Sequence, residues 1–402
     1  MDKDIKFELV KKISNPRFRN KEILNSSKLD STSPPSVFIG SGLSYPNVNV
    51  GILSPLERDS DAWIYDSAKT WSKENFSIND VVKLREGLLN SRFTSQLKNF
   101  KGNSKFVEVA KEIAIAAKPV DLEIELKNKM AFGRKVDRVL TPHGLKAPLK
   151  KATITMNVKV NQKLDKMMND EIKSNYGINY LYKNNFDEYS LAKILSVGVL
   201  GMKKDKKLVP TRWSITATDD TIGKNLLEKI RTYKWIENYE LFFGDFMGNE
   251  YLIMLFPNVF SYELFELYLP GSSWNPGKEI KASTDYETFS GRKNYAKNCA
   301  GGYYASRLPI LEYLNSIKRQ ASVLVIRLET ASYWASLGVW VVRESVRKAL
   351  NNRKLNFLEE GELIEGCKKV SMIKYGYDVN KILKKSKLLL GLREQSKLSE
   401  WF

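Results

Sequence analysis

Two adjacent carboxylates, Asp219 and Asp220, follow a polar stretch that contains Arg212. Polar and apolar residues alternate from 208 to 216, which predicts a strand with Arg212, Ser214 and Thr216 on one face. Arginine and hydroxyl side chains followed by paired aspartates could grip a phosphate and a divalent cation. Asp219, Asp220 and Arg212 are therefore the candidate catalytic residues.

A helix predicted over 221–235 offers a simpler role for these acids. One aspartate at the start of a helix caps its free backbone N–H groups and interacts favourably with the helix dipole. No matching acidic partner for a metal ion is evident elsewhere in the sequence. We therefore favour capping, although one cap needs only one of the two aspartates.

The chain is strongly basic, with 65 Lys and Arg against 46 Asp and Glu and a formal net charge of +19. Such an excess favours polyanions, because contact with phosphates releases their condensed counterions. The candidate nucleic-acid contacts are Lys203, Lys204, Lys206, Lys207, Arg307 and Arg327. Arginines at 327, 343 and 347 could bind DNA phosphates, or they could form ion pairs with Glu329 and Glu344. The sequence leaves both possibilities open.

Cysteine and histidine are scarce, with only Cys299, Cys367 and His143 in 402 residues. This scarcity excludes a zinc ribbon, a zinc finger and a disulfide framework, so no zinc and no other cofactor are expected. A divalent cation would be needed only if the protein were an enzyme. His143 lies in a turn-like stretch and is predicted to face solvent. No signal peptide or membrane span is visible, which predicts a cytoplasmic, nucleoid-associated protein without a membrane partner.

The last eight residues combine Gln395, Leu398, Trp401 and Phe402. In a single helical turn, Leu398, Trp401 and Phe402 lie at i, i+3 and i+4 and form one hydrophobic plug. Gln395 can exchange hydrogen bonds at the rim of a pocket, and paired aromatic anchors commonly carry most of an interface's energy. This pattern is typical of peptides that bind the replication sliding clamp. The alternative is a final amphipathic turn that folds onto the protein's own core.

Helical and strand patterns follow one another in irregular order, which predicts an α+β or mixed α/β protein of two domains with a flexible basic tail. Pro and Gly residues at 270–277 mark the best internal boundary. Leu191 to Leu200 is predicted as a strand. The predicted parts are an N-terminal arm (1–35), an N-terminal domain (36–275), a C-terminal domain (280–380) and the tail (381–402).

Several long strings resemble one known family. "KLVPTRWSITATDDTIG" (207–223), "GGYYASRLPILEYL" (301–314) and "GVWVVRESVRKAL" (338–350) are similar to the archaeal Nre family of DNA-repair proteins. The resemblance runs from about residue 36 to the end, and it implies a role in DNA-damage repair. It also implies that Gln395, Leu398, Trp401 and Phe402 bind the sliding clamp PCNA. Many members begin with a four-cysteine segment that residues 1–35 lack.

The sequence thus predicts a DNA-damage repair factor that is recruited to the clamp by its terminal peptide and contacts DNA through a basic body. Two alternatives remain. One is a metal-dependent enzyme that acts on DNA or nucleotides through Asp219, Asp220 and Arg212. The other is a non-catalytic adaptor that brings another repair protein to the clamp.

Overall fold

The computed structural model describes residues 26–43, 45–98, 104–132, 140–202 and 205–399, with the backbone alone described at 131–132 and 395–399. The chain divides into two compact units, Met1–Ile222 and Gly223–Phe402. Each unit combines a β-sheet with helices, which confirms the predicted α+β class. Within these described ranges, no helix has the length and apolar character that crossing a bilayer requires.

The sheet of the first unit mixes local and distant strands. The strands are β1 (Lys28–Ser33), β2 (Val37–Ile39), β3 (Asn47–Ser54), β4 (Leu89–Gln96), β5 (Val120–Leu126), β6 (Ala131–Phe132) and β7 (Leu145–Ile154). Their order is β1-β5-β7-β4-β3-β2, with β6 beside β7. Among the described strands of this first sheet, only β4 and β7 pair in parallel. Because β1 pairs with β5, residues 28–33 belong to the sheet and not to the predicted N-terminal arm.

Short helices accompany this sheet. They are a 3₁₀ helix (Ala62–Asp66), α1 (Ala68–Lys73), α2 (Ile78–Glu86), α3 (Ser104–Ile115), α4 (Gln162–Asn169), α5 (Ser174–Lys183) and α6 (Glu188–Ser196). The Asp187 side chain accepts a hydrogen bond from the Ser190 backbone N–H at 2.8 Å and so caps α6. The strand predicted over 191–200 is therefore wrong, since a run of apolar residues this short suits either a strand or a buried helix.

Helix α7 (Thr211–Ile230) replaces the predicted strand at 208–216 and begins ten residues before the predicted helix at 221. Pro210 precedes it, and its carbonyl accepts hydrogen bonds from the backbone of Trp213 and Ser214. Proline suits the start of a helix because its missing N–H would be unpaired there anyway. Ser214, Thr218 and Asp219 are buried, so α7 has no clean apolar stripe that would reveal it in the sequence.

The second unit has a mixed sheet with helices on both faces. Its elements are β8 (Tyr239–Phe246), β9 (Asn249–Phe256), β10 (Ser261–Tyr268), β11 (Lys281–Glu287), α8 (Ala300–Ser316), β12 (Ser322–Glu329), α9 (Trp340–Asn351), β13 (Leu355–Phe357), α10 (Glu360–Val370), a π-helix (Ser371–Tyr375), α11 (Asn380–Leu383) and α12 (Lys387–Ser399). The strand order is β11-β10-β12-β9-β8-β13, and β10 and β12 run parallel.

The two faces of this sheet differ in chemistry. One face packs Leu252, Leu324 and other apolar residues against helices α10, α11 and α12 in a continuous hydrophobic core. The other face meets α8 and α9, for example where Phe242 contacts Tyr313 edge-on at 5.2 Å between ring centroids. Side chains alternate between the faces along each strand. The polar residues of β10 and β12 at 266 and 327 consequently lie on the α8 and α9 side.

Two predicted boundaries differ from the structure. The loop at 271–277 lies inside the second unit, because β8 to β10 before it and β11 to β13 after it form one sheet. Residues 387–399, predicted as part of a flexible tail, form α12, and its Leu388 and Leu389 are buried in the core.

Candidate functional site

The predicted catalytic residues Asp219, Asp220 and Arg212 lie along helix α7. Neighbouring helical residues point about 100° apart, so the two carboxylates diverge, and Arg212 is two turns away. Asp219 is 1% exposed and Asp220 is half-buried. No group of three metal-binding side chains occurs in the part of the chain that the structure describes. The helix replaces the strand face on which the predicted phosphate and cation site depended, and the capping role is wrong because both acids lie mid-helix.

The predicted lysine loop is only partly described. Lys203 and Lys204 lie outside the described residues. Lys206 donates a hydrogen bond to the Met168 carbonyl at 2.6 Å, and burial lowers its pKa. Lys207 is exposed. The described half of this loop thus offers Lys207 as its accessible cation.

Arg327 lies at the centre of a buried ionic network on the sheet of the second unit. Its Nη1 donates to Glu266 at 2.6 Å, and its Nη2 donates to Glu329 at 2.9 Å. Its Nε and Nη2 also donate to the Asn249 Oδ1 at 2.9 and 2.6 Å. Strand register explains the geometry, because Arg327 pairs with Glu266 on β10. Arg327 is therefore buried and bound to acids, and it does not present its guanidinium to DNA phosphates.

The second predicted arginine contact is buried as well. Arg307 on α8 binds both carboxylate oxygens of Glu287, at 2.9 and 2.8 Å. Its guanidinium also lies over the Tyr303 and Tyr304 rings. On α9, Arg347 pairs with Glu344 at 2.6 Å. The pairs Arg327–Glu329 and Arg347–Glu344 agree with the ion-pair interpretation. The predicted DNA contacts of Arg307 and Arg327 are not supported, because both guanidinium groups are buried against carboxylates.

Helix α8 approaches this network at a glycine. A Cβ atom on Gly302 would lie 2.4 Å from the Glu266 Oε1. A side chain at this position would collide with a carboxylate that Arg327 already holds in place. The buried network consequently fixes the position of α8 and leaves no room for a larger residue at 302.

Glu263, which is fully buried on β10, anchors the start of helix α12. Its carboxylate accepts hydrogen bonds from the Ser386 hydroxyl at 2.5 Å, the Lys387 N–H at 3.1 Å and the Leu388 N–H at 3.0 Å. A carboxylate at the start of a helix accepts hydrogen bonds from free backbone N–H groups, and its negative charge interacts favourably with the positive end of the helix dipole. The helix that leads to the predicted clamp peptide is thereby fastened to the sheet.

Replacing Glu263 with glutamine should loosen α12, because the amide brings an NH₂ group towards backbone donors and removes the charge. We expect the amide protons of α12 to exchange with solvent about 10- to 100-fold faster, as the loss of a charged hydrogen-bond acceptor implies. Glu365→Gln is the matched control, since Glu365 is 60% exposed and its carboxylate pairs with Lys368 on the same helix. Equal exchange rates in both variants would contradict the anchor.

The predicted clamp peptide overlaps the end of α12. The backbone of Gln395 and Leu398 belongs to the helix, whereas Trp401 and Phe402 lie outside the described residues. Eight residues separate Lys387 from Gln395, so the peptide begins roughly 12 Å along the helix from its anchored end.

His143 is not the solvent-facing loop residue that the sequence predicts. Its Nε2 lies 3.0 Å from the Asn90 amide nitrogen, and its ring contacts Phe38 edge-on. Burial, reinforced by the positive charge of Arg85, lowers its pKa to about 4. The imidazole is therefore neutral near pH 7.

This lowered pKa predicts a measurable loss of stability in acid. Because the unfolded chain binds the proton near pH 6.5 and the folded chain only near pH 4, stability falls as the pH drops through this window. His143 should contribute about 2 kcal/mol to the fall between pH 7 and pH 4.5. An NMR titration of the single imidazole should give a midpoint near 4, and a midpoint near 6.5 would contradict the burial.

One polar group in the first unit was not predicted from the sequence. Asp66 binds Arg85 at 2.7 Å and Lys193 at 3.3 Å. Although burial favours its neutral form, Lys193 and Arg85 lower the pKa of Asp66. Asp66, Arg85 and Lys193 are too far apart in sequence for any local pattern to indicate that they meet. Partners for Glu263 and Glu266, in contrast, could have been predicted from the sequence. Two acids interrupt an otherwise apolar strand there, and acids are rarely buried without a partner.

Two family models match the chain. The model described as "Archaeal Nre, N-terminal" matches residues 4–275, and "Archaeal Nre, C-terminal" matches residues 287–401. Together they span nearly all of the chain.

Named relatives of similar length accompany these matches. The chain is 39% identical over 337 residues to the DNA repair protein NreA of Haloferax volcanii, covering 82% of this chain and 80% of the relative. It is 38% identical to NreA of Archaeoglobus fulgidus, covering 83% of each chain. It is 33% identical to the DNA repair protein NreB of the same organism, covering 91% and 90%. No solved structure matches.

Proposed function

The chain belongs to the archaeal Nre family, and on this basis we propose that it is a DNA-damage repair factor recruited to the sliding clamp PCNA through residues 395–402. The repair role is supported by the relatives, which are named DNA repair proteins and share 33–39% of their aligned residues with this chain.

Clamp recruitment is carried by one observation, the spacing of Gln395, Leu398, Trp401 and Phe402. In a helical turn the last three form a plug for an apolar pocket, and Gln395 binds at its rim. Gln395 and Leu398 already have helical backbone in α12. A helical turn formed by residues 398–402 on the clamp would extend that helix.

The anchor at Glu263 defines how the peptide is presented. Because α12 is fastened at its first turn and packed through Leu388 and Leu389, the backbone of Gln395 and Leu398 belongs to a short helical arm of the second unit. We propose that this arm keeps the second unit within a few helical turns of the clamp. A flexible tether of the same length would permit many more orientations.

DNA contact is attributed to the basic surface as a whole. The net charge of +19 favours phosphate binding that weakens steeply with salt. The exposed Lys207 remains a candidate contact, with Lys203 and Lys204 beside it in sequence. Arg307 and Arg327 have no part in this proposal, because both are buried against carboxylates.

Survival of DNA damage tests the proposal. In archaeal cells that lack the gene, the full chain should restore resistance, and a chain lacking residues 395–402 should not. Lys397→Ala is the matched control, since it changes the same peptide without removing an anchor, and it should restore resistance fully. Full rescue by the truncated chain, at equal protein level, would contradict recruitment through this peptide.

A further inference from the structure

The first unit contains a cleft of about 590 Å³ that none of the functions above uses. It lies between the 3₁₀ helix Ala62–Asp66, the segment after α3, and the start of α6. A volume of this size is typical of small-ligand pockets and accommodates one nucleotide, but not a duplex.

One charged side chain that lines the cleft is held in place by two ion pairs. Asp66 lies there, bound on one side to the buried Arg85 at 2.7 Å and on the other to Lys193 at 3.3 Å. Arg85 is fixed in turn, because its Nε donates to the Pro142 carbonyl at 2.7 Å. This arrangement offers a carboxylate and an ammonium group to a polar ligand without any rearrangement of the backbone.

The rim supplies an aromatic face, further cations and amides. Trp63 is 37% exposed, although it belongs to a helix whose Ala62 and Ile64 are buried. Lys118 is exposed at the same cleft, and so is Lys69, which also pairs with the buried Glu188 at 3.6 Å. Asn161 and Asn185 also line it, and side-chain amides can both donate to and accept from the edge of a base.

We propose that this cleft binds one nucleotide, with the base stacked on Trp63 and the phosphate held by Lys69 and Lys118. Aromatic stacking combined with nearby cations is how proteins commonly bind single-stranded nucleic acid. The base must be unpaired to enter, so the preferred ligand is a nucleotide of single-stranded DNA. This inference rests on the proposed contact between the body and DNA, and it names where one base is held.

The test compares three probes on the full chain by fluorescence anisotropy and calorimetry: a twelve-nucleotide oligothymidylate, a blunt duplex of the same length and thymidine monophosphate. Trp63→Ala should weaken oligothymidylate binding about 10- to 100-fold, the usual effect of removing one stacking aromatic. Trp213→Ala is the matched control, because Trp213 is 58% exposed in the same unit but does not line the cleft. Lys118→Glu should weaken binding in the same direction as Trp63→Ala.

A second measurement is independent of affinity. Oligothymidylate carrying one 5-iododeoxyuridine should, on irradiation, crosslink to the peptide that contains Trp63. Crosslinks confined to other peptides would overturn the proposal.

The outcomes also separate this proposal from the clamp proposal. Selective binding of the monophosphate, lost in Trp63→Ala, would support the cleft with a free nucleotide as its source. Equal oligothymidylate affinities for the Trp63→Ala, Trp213→Ala and unaltered chains would overturn the cleft while leaving DNA contact intact. If the unaltered chain bound none of the probes, both the cleft and the body's DNA contact would fail, whereas clamp binding would be unaffected.

Discussion

Replacing Arg327 with methionine is expected to destabilise the second unit by about 3–5 kcal/mol, because two carboxylates would remain buried without their cation. Glu266 and Glu329 both bind its guanidinium, at 2.6 and 2.9 Å. Burial already raises the pKa of Glu329 even with Arg327 in place. Methionine fills much of the same volume, so the loss would come from charge and hydrogen bonds.

Native-state hydrogen exchange of the amides in β9, β10 and β12 measures this effect in the unit concerned, without requiring the whole chain to unfold in one step. Arg347→Met is the matched control. Arg347 also binds two acids, Glu312 and Glu344, but its side chain is 21% exposed and water can replace the lost partner. We expect about 1 kcal/mol for the control. Equal losses in the two variants would contradict the importance of burial.

A triple variant separates the effect of buried charge from the effect of lost hydrogen bonds. Combining Arg327→Met with Glu266→Gln and Glu329→Gln removes both the cation and the charges it neutralises, and it should recover part of the lost stability. If the triple variant were less stable than Arg327→Met alone, the hydrogen bonds of the carboxylates would matter more than their charge.

Removing either terminal aromatic side chain should weaken clamp binding severely. Trp401→Ala and Phe402→Ala are each expected to reduce affinity by about 30-fold or more, as the loss of a central hot-spot anchor typically does. Both side chains would fill the same apolar pocket, so the double variant should lose less than the product of the two single effects.

The matched control for these anchors is Lys397→Ala, which alters a position between Gln395 and Leu398 but contributes nothing to the hydrophobic plug. Its affinity should stay within about threefold of the unaltered chain, as is usual for rim positions. A loss from Lys397→Ala as large as that from Phe402→Ala would indicate general electrostatic attraction between a basic tail and an acidic surface, and not seating of the aromatic anchors.

Elements with strong apolar patterns were predictable from sequence. Strands β9 and β12, for example, coincide with long apolar runs in the sequence. The family resemblance was equally readable, because it rests on long strings that are independent of fold prediction. Both family models and three named relatives confirm it.

Helix α7 was not predictable, because its buried side includes Ser214, Thr218 and Asp219. Its first residues alternate like a strand, and the true signal was Pro210 at its start. The catalytic hypothesis for Asp219, Asp220 and Arg212 assumed that Arg212 lies on a strand. Because all three residues lie on a helix, the geometry that it assumed is absent. Local periodicity cannot identify a helix whose buried face is polar.

Long-range pairing was the second obstacle. The Pro- and Gly-rich loop at 271–277 resembles a linker, yet β10 before it pairs with both β11 and β12 after it. The same parallel pairing brings Arg327 to Glu266, 61 residues away. Ion pairs of this kind depend on register between distant strands, which no local pattern encodes. Only the short-range pairs, such as Arg327 with Glu329, were within reach of sequence reasoning.

The most direct test of the central proposal is calorimetric titration of the cognate sliding clamp with the full chain and with a chain that ends at Glu394. We expect saturable binding by the full chain and no detectable binding by the shortened one, while both retain the same fold by circular dichroism. Equal binding by the two chains, or no binding by either, would contradict recruitment through residues 395–402.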